Sequence, residues 1–418
     1  MHTPQRVESG FLAWLPVIGL AFAAFVFNTS EFLPVGLLPD MAESLHENVS
    51  FTGLVITGYA WVVAIMSLPL TILTAKFERR KLLLCLLAIF ACCHFVIIFV
   101  DSFATLLAAR IGVALTHSVF WSIMTPLAAR MAPKGKRAVG MAAVMGGTIV
   151  ATVLGVPIGT QLGHTFGWQE AFFIIGIVAA LVLAVIYFVL PSCDAAKAGN
   201  LKSLPVILRR PALVQLYLLT AICILGQFTA YSYFSPILQH AGGFAQSDVV
   251  TALFIFGISG VIGTVVSSKT VDKHTSMSLC VPLCLVFFCL LLLEPAAQSW
   301  WTLAPVIIAW GAAMTAVGMA FQTIMLNTAP DAADVATSLY SGIFNIGIGG
   351  GAFLGSQISQ AWGFSPVAYA GAAIVAAVTI PTLIIYWRTG SAVLPGAPDL
   401  ERRPASGEPL KISSEAER

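Results

Sequence analysis

The chain has 418 residues, of which 58% are hydrophobic and 10% charged, and its mean hydropathy is +0.91. This composition leaves too little polar surface to cover a core, so it excludes a soluble domain and indicates a polytopic membrane protein. The net charge of +2 excludes little by itself, because the positions of the charges along the chain are more informative.

Apolar runs long enough to cross a membrane recur along the chain. A helix needs roughly 20 residues to cross a hydrocarbon core of about 30 Å, so these runs favour helices over a barrel of short alternating strands. Charge clusters and Pro, Gly and Asn turn signals separate them. Twelve helices are predicted at about 14–39, 50–75, 82–100, 103–130, 137–163, 169–190, 211–240, 247–269, 277–294, 300–328, 333–361 and 364–388.

The basic residues define the two sides of the predicted bundle. Lysines and arginines follow the even-numbered helices, whereas the loops on the opposite side contain acids and no Lys or Arg. An even number of helices places both termini on one side, and the positive-inside rule predicts that this side is cytoplasmic. Only Arg110, about two turns into helix 4, departs from this pattern.

A polar segment divides the helices into six and six. We predict an N-terminal bundle at 1–190, a cytoplasmic linker at 191–210, a C-terminal bundle at 211–388 and a disordered cytoplasmic tail at 389–418. Phe166-Gly-Trp168 after helix 5 corresponds to Trp362-Gly-Phe364 after helix 11, which indicates an internal repeat.

Glu31 is an isolated carboxylate within an apolar membrane run. Burying an ionisable group at mid-membrane costs about 2.5–3.5 kcal/mol on insertion scales, so such residues usually face a cavity or a partner and mark an ion or proton path. A purely structural acid, hydrogen-bonded between helices, is the alternative. Burial favours the neutral form of a carboxyl group and hydration favours its ionised form, so an alternately wet and dry cavity suits proton loading and release. Asn28 lies one turn earlier on the same face.

Arg110, His117 and Trp121 lie at i, i+7 and i+11, which places them on one face of helix 4. An imidazole titrates near neutrality, so His117 is a candidate for the proton path together with Glu31. Arg110 has two interpretations: a member of this path, or a structural cation that ties helices 1, 2 and 4 together through backbone carbonyls. We interpret His94 in helix 3 as a hydrogen-bonded packing residue.

Amide and aromatic side chains in the membrane helices suit a neutral polyhydroxyl ligand, because rings stack on sugar C–H surfaces and amides bind hydroxyl groups. The predicted substrate-binding residues are Asn28, Trp121, Gln227, Tyr231, Gln322 and Asn345. Interfacial aromatic residues are the alternative interpretation for the rings. In helix 5, Gly155 and Gly159 continue a stripe of small residues that permits close helix packing, and Pro157 predicts a bend.

The eight cysteines lie in apolar spans or in one loop without metal-ligand spacing, so they are interpreted as packing residues and no metal is expected. The sequence contains no phosphate-binding glycine loop, nucleophile elbow or nucleic-acid-binding patch. We therefore expect no cofactor, no enzymatic activity and no nucleic-acid partner.

Several motifs together resemble the major facilitator superfamily, specifically its twelve-helix drug/proton antiporter branch. They are the basic loop Lys76-Phe-Glu-Arg-Arg-Lys81, Arg110, and Gly155-Val-Pro-Ile-Gly159. The stretches Phe27-Asn-Thr-Ser-Glu-Phe-Leu-Pro-Val-Gly36, Ile111-Gly-Val-Ala-Leu-Thr-His-Ser-Val-Phe-Trp-Ser122 and Ser341-Gly-Ile-Phe-Asn-Ile-Gly-Ile-Gly349 are similar to those of bacterial sugar efflux transporters.

The resemblance implies a monomeric proton antiporter of the bacterial inner membrane, built from two pseudo-symmetric six-helix bundles and working by alternating access. It implies packing or gating roles for Arg79 and Arg80, Gly155, Pro157 and Gly159. The hypothesis from the sequence is proton-coupled efflux of small sugars such as arabinose or thiogalactosides, with Glu31, Arg110 and His117 in proton coupling. A multidrug exporter of the same fold and, more remotely, a non-transporting receptor or scaffold are the alternatives.

Overall fold

The computed structural model describes residues 11–194 and 204–389. These ranges contain twelve long helices: α1 (Leu15–Ser44), α2 (Leu54–Leu73), α3 (Arg79–Val96), α4 (Phe103–Met131), α5 (Arg137–Val150, continued through Ala151–Gly155 and Val156–Phe166), α6 (Trp168–Val189), α7 (Pro211–Tyr231, extended by Phe234–Gly242), α8 (Gln246–Thr270), α9 (Thr275–Ala296), α10 (Trp300–Thr328), α11 (Ala333–Trp362) and α12 (Ser365–Thr389). Short helices at Val49–Thr52 and Leu204–Leu208 precede α2 and α7.

The predicted number and order of the helices are confirmed, and two boundaries are corrected. Helix α1 does not end near residue 39 but runs through Pro34 and Pro39 to Ser44, because neighbouring helices in a bundle tolerate the backbone groups that proline leaves unpaired. The predicted helix at 211–240 is interrupted at Ser232 and Tyr233. The predicted tail from 390 onward and part of the predicted linker, 195–203, lie outside the described residues.

Most of these helices have the length and composition of membrane spans. Within the described residues, eleven helices are long and apolar enough to cross a membrane. Helix α11 is the twelfth long helix, and it is less apolar because glycines, serines and Asn345 interrupt its hydrophobic residues. The protein is therefore a multi-pass, all-helical membrane protein.

The two halves repeat the same helix packing. In the first half α1 packs on α5, α2 on α4, and α3 on α6; in the second half α7 packs on α11, α8 on α10, and α9 on α12. The short connections agree with this repeat, because Gly167 and Gly363 occupy equivalent turns and both have a positive φ, 118° and 79°. Glycine adopts such a backbone without the steric cost that a Cβ imposes. The structure is thus two pseudo-symmetric six-helix bundles.

The bundles meet through α2 against α11 and through α5 against α8, which are equivalent pairs under the repeat. Three hydrogen bonds between the halves lie near the acidic loops. Tyr233 Oη donates to the carbonyl of Ser50 at 3.2 Å, Ser359 Oγ donates to Ser50 Oγ at 2.7 Å, and Gln246 Nε2 donates to Asp40 Oδ1 at 2.8 Å.

Burial along α7 agrees with closure at the acidic-loop end. Every residue from 226 to 238 is buried, whereas buried and exposed positions alternate between 211 and 222, nearer the basic loops. The two halves are therefore held together most tightly at the acidic-loop end.

Candidate functional site

Glu31 lies midway along α1, between buried segments of the same helix. Its side chain is 10% exposed, and Oε2 is 3.7 Å from Nε2 of His117 on α4. The structure therefore brings together the acid and the imidazole that the sequence analysis selected. This distance exceeds that of a hydrogen bond, so the two groups are neighbours that a small movement would join.

His117 is surrounded by polar groups although it is buried. Its Nδ1 is 2.7 Å from the hydroxyl of Tyr59 on α2, and its Nε2 accepts a hydrogen bond from Trp121 Nε1 at 2.7 Å. An indole N–H is a donor only, so Nε2 must carry a lone pair and the neutral ring must carry its proton on Nδ1. Tyr59 and Trp121 thereby fix the imidazole on both sides.

Arg110 is completely buried and binds backbone rather than a carboxylate. Its guanidinium donates to the carbonyl of Ser30 at 2.9 Å, to Ser30 Oγ at 3.1 Å and to the carbonyl of Glu31 at 3.5 Å. The same group lies 4.3 Å from the centroid of the Tyr59 ring, a cation–π contact. These contacts tie α1, α2 and α4 together, which agrees with the structural interpretation of Arg110, and its role in proton coupling stays a prediction.

Sequence reasoning missed two members of this group, Ser30 and Tyr59. Ser30 Oγ lies 2.8 Å from His94 Nε2, and His94 Nδ1 lies 2.8 Å from the carbonyl of Phe90. The packing interpretation of His94 is confirmed, and through Ser30 it also supports Arg110. The available signal was modest: Ser30 adjoins Glu31, and Tyr59 is a polar ring inside an apolar span.

A family profile described as the Major Facilitator Superfamily matches residues 20–349, which is most of the chain. The chain belongs to the Major Facilitator Superfamily. Members of this superfamily are transporters, so the protein is a membrane transporter with a small-molecule substrate.

Solved structures of other superfamily members have the same fold. A bacterial homologue of the human lysosomal transporter Spinster, inward-facing and unoccupied, is 14% identical and gives a TM-score of 0.68 over 91% of this chain and 96% of its own. The inward-facing, occupied form of the same homologue gives a TM-score of 0.69 at 15% identity, over 90% of this chain and 96% of its own. The nucleoside transporter NupG gives 0.70 at 13% identity, over 90% of this chain and 100% of its own. Such identities show a common fold and no common substrate.

An aromatic cluster joins the two halves of this superfamily member near Glu31. Phe32, the residue after Glu31, lies 6.1 Å from Phe228 and 6.4 Å from Tyr231, measured between ring centroids. Tyr231 lies 6.0 Å from Trp310 on α10, and Phe228 lies 6.5 Å from Phe344 on α11. The predicted residue Tyr231 is therefore buried within a wall of rings.

Polar atoms without partners lie beside these rings. Gln227 is fully buried, and neither its Oε1 nor its Nε2 has a hydrogen-bond partner among the described residues. The same holds for Nε1 of Trp310 and for Oδ1 of Asn345, whose Nδ2 donates to the carbonyl of Ser341 at 3.0 Å. Leaving buried polar atoms unpaired costs free energy, so these atoms are candidates for contact with a ligand or with water.

Two further predicted substrate residues, Asn28 and Gln322, are placed differently. Asn28 Nδ2 donates weakly, at 3.4 Å, to the carbonyl of Thr148 on α5, so it links α1 and α5. Gln322 is exposed and lies nearer the basic-loop end of α10 than Trp310 does. Gln227, Tyr231 and Asn345 are buried, whereas Gln322 is exposed and Asn28 is engaged with α5.

The small-residue stripe of α5 packs on α1. A Cβ at Gly155 would press against Thr29, and one at Gly159 would lie 2.9 Å from Leu33. Pro157, where a bend is predicted, comes two residues after the end of a π-helical turn, Ala151–Gly155. Such turns are frequent at functional positions in helices, and this one faces Gly257 of α8 in the other half.

Arg79 and Arg80 bind atoms of their own half. Arg79 donates to the carbonyls of Thr74 and Ala75 at 3.3 and 3.2 Å, and Arg80 donates to the carbonyl of Tyr187 at 2.6 Å. These contacts fix the loop between α2 and α3, and a gating role for the two arginines stays a prediction.

Proposed function

We propose that the protein is a proton-coupled exporter of small sugars or sugar analogues, such as arabinose and thiogalactosides, across the bacterial inner membrane. In this proposal Glu31 is the main proton carrier. The observation that supports it most directly is the 3.7 Å approach of the Glu31 carboxylate to His117 inside the bundle.

The surroundings of Glu31 suit a group that gains and loses a proton. The described hydrogen bonds of Arg110 go to the backbone carbonyls of Ser30 and Glu31 and to Ser30 Oγ. The carboxylate is therefore near a fixed cation without a hydrogen bond from it, which leaves its oxygens available to a proton. An ionisable residue at this depth is expected to have such a role.

The aromatic cluster and its unpaired amides support a neutral polyhydroxyl substrate. Gln227 offers a donor and an acceptor, Trp310 offers a donor, and Asn345 offers an acceptor. Sugar hydroxyl groups would satisfy these atoms, and the faces of Phe228 and Tyr231 would cover the C–H surfaces.

Closure at the acidic-loop end supports the proposed direction of access. If the basic loops are cytoplasmic, as the positive-inside rule predicts, the closed end is the outer one, which suits a state that accepts substrate from the cytoplasm. Alternating access then requires the Ser50–Ser359 and Asp40–Gln246 hydrogen bonds to break before release.

A multidrug exporter of the same fold is the second candidate. The observation that favours it is the extent of the ring wall, because Phe32, Phe228, Tyr231, Trp310 and Phe344 form a large apolar surface. Amphipathic cations that compete with the substrate more strongly than neutral sugars do would favour this alternative.

The test is counterflow of labelled arabinose in proteoliposomes with the wild type and Glu31→Gln. Exchange needs no proton gradient, so the variant is expected to retain counterflow and to lose gradient-driven transport. Glu43→Gln, which removes an exposed acid from the acidic-loop end of the same helix, is the matched control. Full gradient-driven transport by Glu31→Gln would refute the proton role, and a wild type without arabinose exchange would refute the sugar assignment.

A further inference from the structure

Two groups approach the same ring nitrogen of His117, Nε2. Nε2 accepts the Trp121 indole N–H at 2.7 Å, and Glu31 Oε2 lies 3.7 Å from the same atom. The other ring nitrogen, Nδ1, is occupied by the Tyr59 hydroxyl at 2.7 Å. An imidazole nitrogen has a single lone pair in the ring plane, so Nε2 serves the indole or binds a proton, and it does not do both.

Protonation changes Nε2 of His117 from a hydrogen-bond acceptor into a donor. In the neutral ring, Nε2 accepts from the indole, and the ring proton on Nδ1 is directed to Tyr59. Once Nε2 carries a proton it becomes a donor, and two donors, the imidazolium and the indole, face each other. The carboxylate of Glu31 is the acceptor beside it, so the new N–H turns to Glu31 and the indole loses its partner.

We infer that the Trp121 indole and a proton compete for Nε2 of His117, so that proton loading releases Trp121 and weakens substrate binding. The inference rests on the proposed function and on the substrate-binding role that the sequence predicts for Trp121. The proton arrives on the Glu31 carboxyl, where the O–H bond breaks as the N–H bond at Nε2 forms. The product is an imidazolium paired with a carboxylate, and no other reactant is needed.

The charged and polar groups around His117 determine how many protons Glu31 and His117 hold together. Glu31 comes from α1, Tyr59 from α2, and Arg110 from α4 itself, two turns nearer the acidic-loop end. Arg110 is a fixed cation above the Tyr59 ring, so a second positive charge on His117 is unfavourable unless Glu31 is ionised. Glu31 and His117 therefore share one proton.

The position of Trp121 connects this proton to the substrate. Trp121 is half-buried and lies one turn from His117 toward the basic-loop end, away from the hydrogen bonds that join the two halves. Its ring stands at 62° to the imidazole and at 83° to Phe120. While Nε2 accepts the hydrogen bond, the indole ring of Trp121 has one fixed orientation, as a surface for substrate stacking requires. When the hydrogen bond is lost, the ring loses this fixed orientation. Sugar and proton thus exclude each other, as antiport demands.

The first experiment measures arabinose affinity against pH for the wild type, Trp121→Phe and Trp301→Phe. Phenylalanine keeps an aromatic ring and removes the N–H that His117 holds; Trp301 is a matched control because it is 91% exposed. Affinity of the wild type and Trp301→Phe is expected to fall about fivefold from pH 8.5 to pH 6, the factor for one net hydrogen bond. Trp121→Phe is expected to show a flat profile, and a wild-type profile in this variant would overturn the inference.

The second experiment needs no substrate, so it separates failure of the inference from failure of the proposed function. The indole N–H resonance of Trp121 is recorded in 15N-tryptophan-labelled protein and assigned by its loss in Trp121→Phe. It is expected to move upfield as the pH falls in the wild type and to stay constant in His117→Gln. A resonance that does not respond to pH in the wild type, or responds equally in His117→Gln, overturns the competition even if arabinose binds. A wild type that binds no arabinose but shows the pH-dependent resonance refutes the sugar assignment alone.

Discussion

Arg110 brings a permanent charge into the first bundle without neutralising Glu31. Its donors are directed to the carbonyls of Ser30 and Glu31, and its flat face rests on Tyr59. A bidentate pair with the carboxylate would have been the usual arrangement for a buried arginine. Because the backbone takes this role, the carboxylate has no described hydrogen bond from Arg110, as the proposed proton exchange requires.

Ser30 connects two buried nitrogen-containing groups, so we predict that Ser30→Ala destabilises the protein. The change removes a hydrogen bond from His94 and one from Arg110, and leaving buried polar groups unpaired costs about 1–3 kcal/mol. Thermal unfolding in detergent measures the loss. Ser118→Ala is the control, because Ser118 bonds only to Leu115 of its own helix in the described contacts; equal losses in both variants would contradict the prediction.

Glu78 gives a pH-dependent prediction outside the membrane. Partial burial favours a higher pKa, but hydrogen bonds from the backbone N–H groups of Cys193, Lys81 and Arg80 outweigh it and hold the pKa of Glu78 below its ordinary value of 4.5. A carboxyl group whose pKa is lowered by folding stabilises the protein fully when the pH is above the pKa of the unfolded state. This stabilisation is lost as the pH falls through the pKa of the folded state.

We therefore predict that Glu78→Gln unfolds at a lower temperature than the wild type at pH 7, and that the difference narrows as the pH falls below about 4.5. Unfolding temperatures measured from pH 7 to pH 3.5 test this. Glu43→Gln controls for the loss of an exposed carboxyl group. A difference that stays constant over this range would contradict the prediction.

At this scale the sequence predicted which residues lie together better than it predicted all of their contacts. Glu31, Arg110, His117 and Trp121 were selected because polar and titratable residues are conspicuous in apolar spans, and the structure places them near one another. The partnership of His117 with Tyr59 was missed, since it depends on how α2 is rotated against α4. Helical periodicity defines a face of one helix and says nothing about the neighbour that the face meets.

At the scale of elements, glycine determines how closely α5 approaches α1. A Cβ at Gly147 would press against the carbonyl oxygen of Ala21 on α1, whereas one at Gly146 would have no neighbour within 4 Å. Backbone atoms cannot move aside as a flexible side chain can. Adding a Cβ is therefore more costly at Gly147 than at the adjacent Gly146.

We predict that Gly147→Ala is destabilised by about 1–3 kcal/mol, the usual cost of overpacking, whereas Gly146→Ala is unaffected or slightly stabilised because alanine favours helix. Thermal unfolding of the two variants provides the comparison. Equal unfolding temperatures for the two variants would mean that α1 and α5 move apart without loss of stability, which would contradict the prediction.

The apolar runs predicted every long helix but not the irregularities within the helices. The π-helical turn at Ala151–Gly155 and the interruption of α7 at Ser232–Tyr233 have no signal in composition. Both occur where a helix meets the opposite half, so tertiary contacts override local preference there. Prediction from one sequence is therefore weakest at the segments that alternating access would use.

At the scale of the whole molecule, the repeat explains why two helix pairs hold the halves together. The contact of α2 with α11 becomes that of α8 with α5 when the halves are exchanged. The sequence indicated the repeat through a few turn residues, but the interface itself required the structure. Sequence patterns repeat within each half, whereas the interface is formed between them.

Cross-linking the acidic-loop end is predicted to stop transport. Ser50 Oγ and Ser359 Oγ are 2.7 Å apart across the halves, so a disulfide in Ser50→Cys/Ser359→Cys would prevent this end from opening. Oxidation should abolish substrate exchange, and a reductant should restore it. The single-cysteine variants control for oxidation of the native cysteines. Full exchange by the cross-linked protein would show that this end need not open.

The composition of α11 has a consequence for biogenesis. Its glycines, serines and Asn345 allow close contact with α7 and α2, and they also make α11 a weaker candidate for independent insertion than the other eleven long helices described. Partitioning from the translocon into lipid follows the hydrophobicity of each segment. Helix α11 should therefore remain at the translocon until α7 receives it, so its insertion depends on a helix made four positions earlier in the chain.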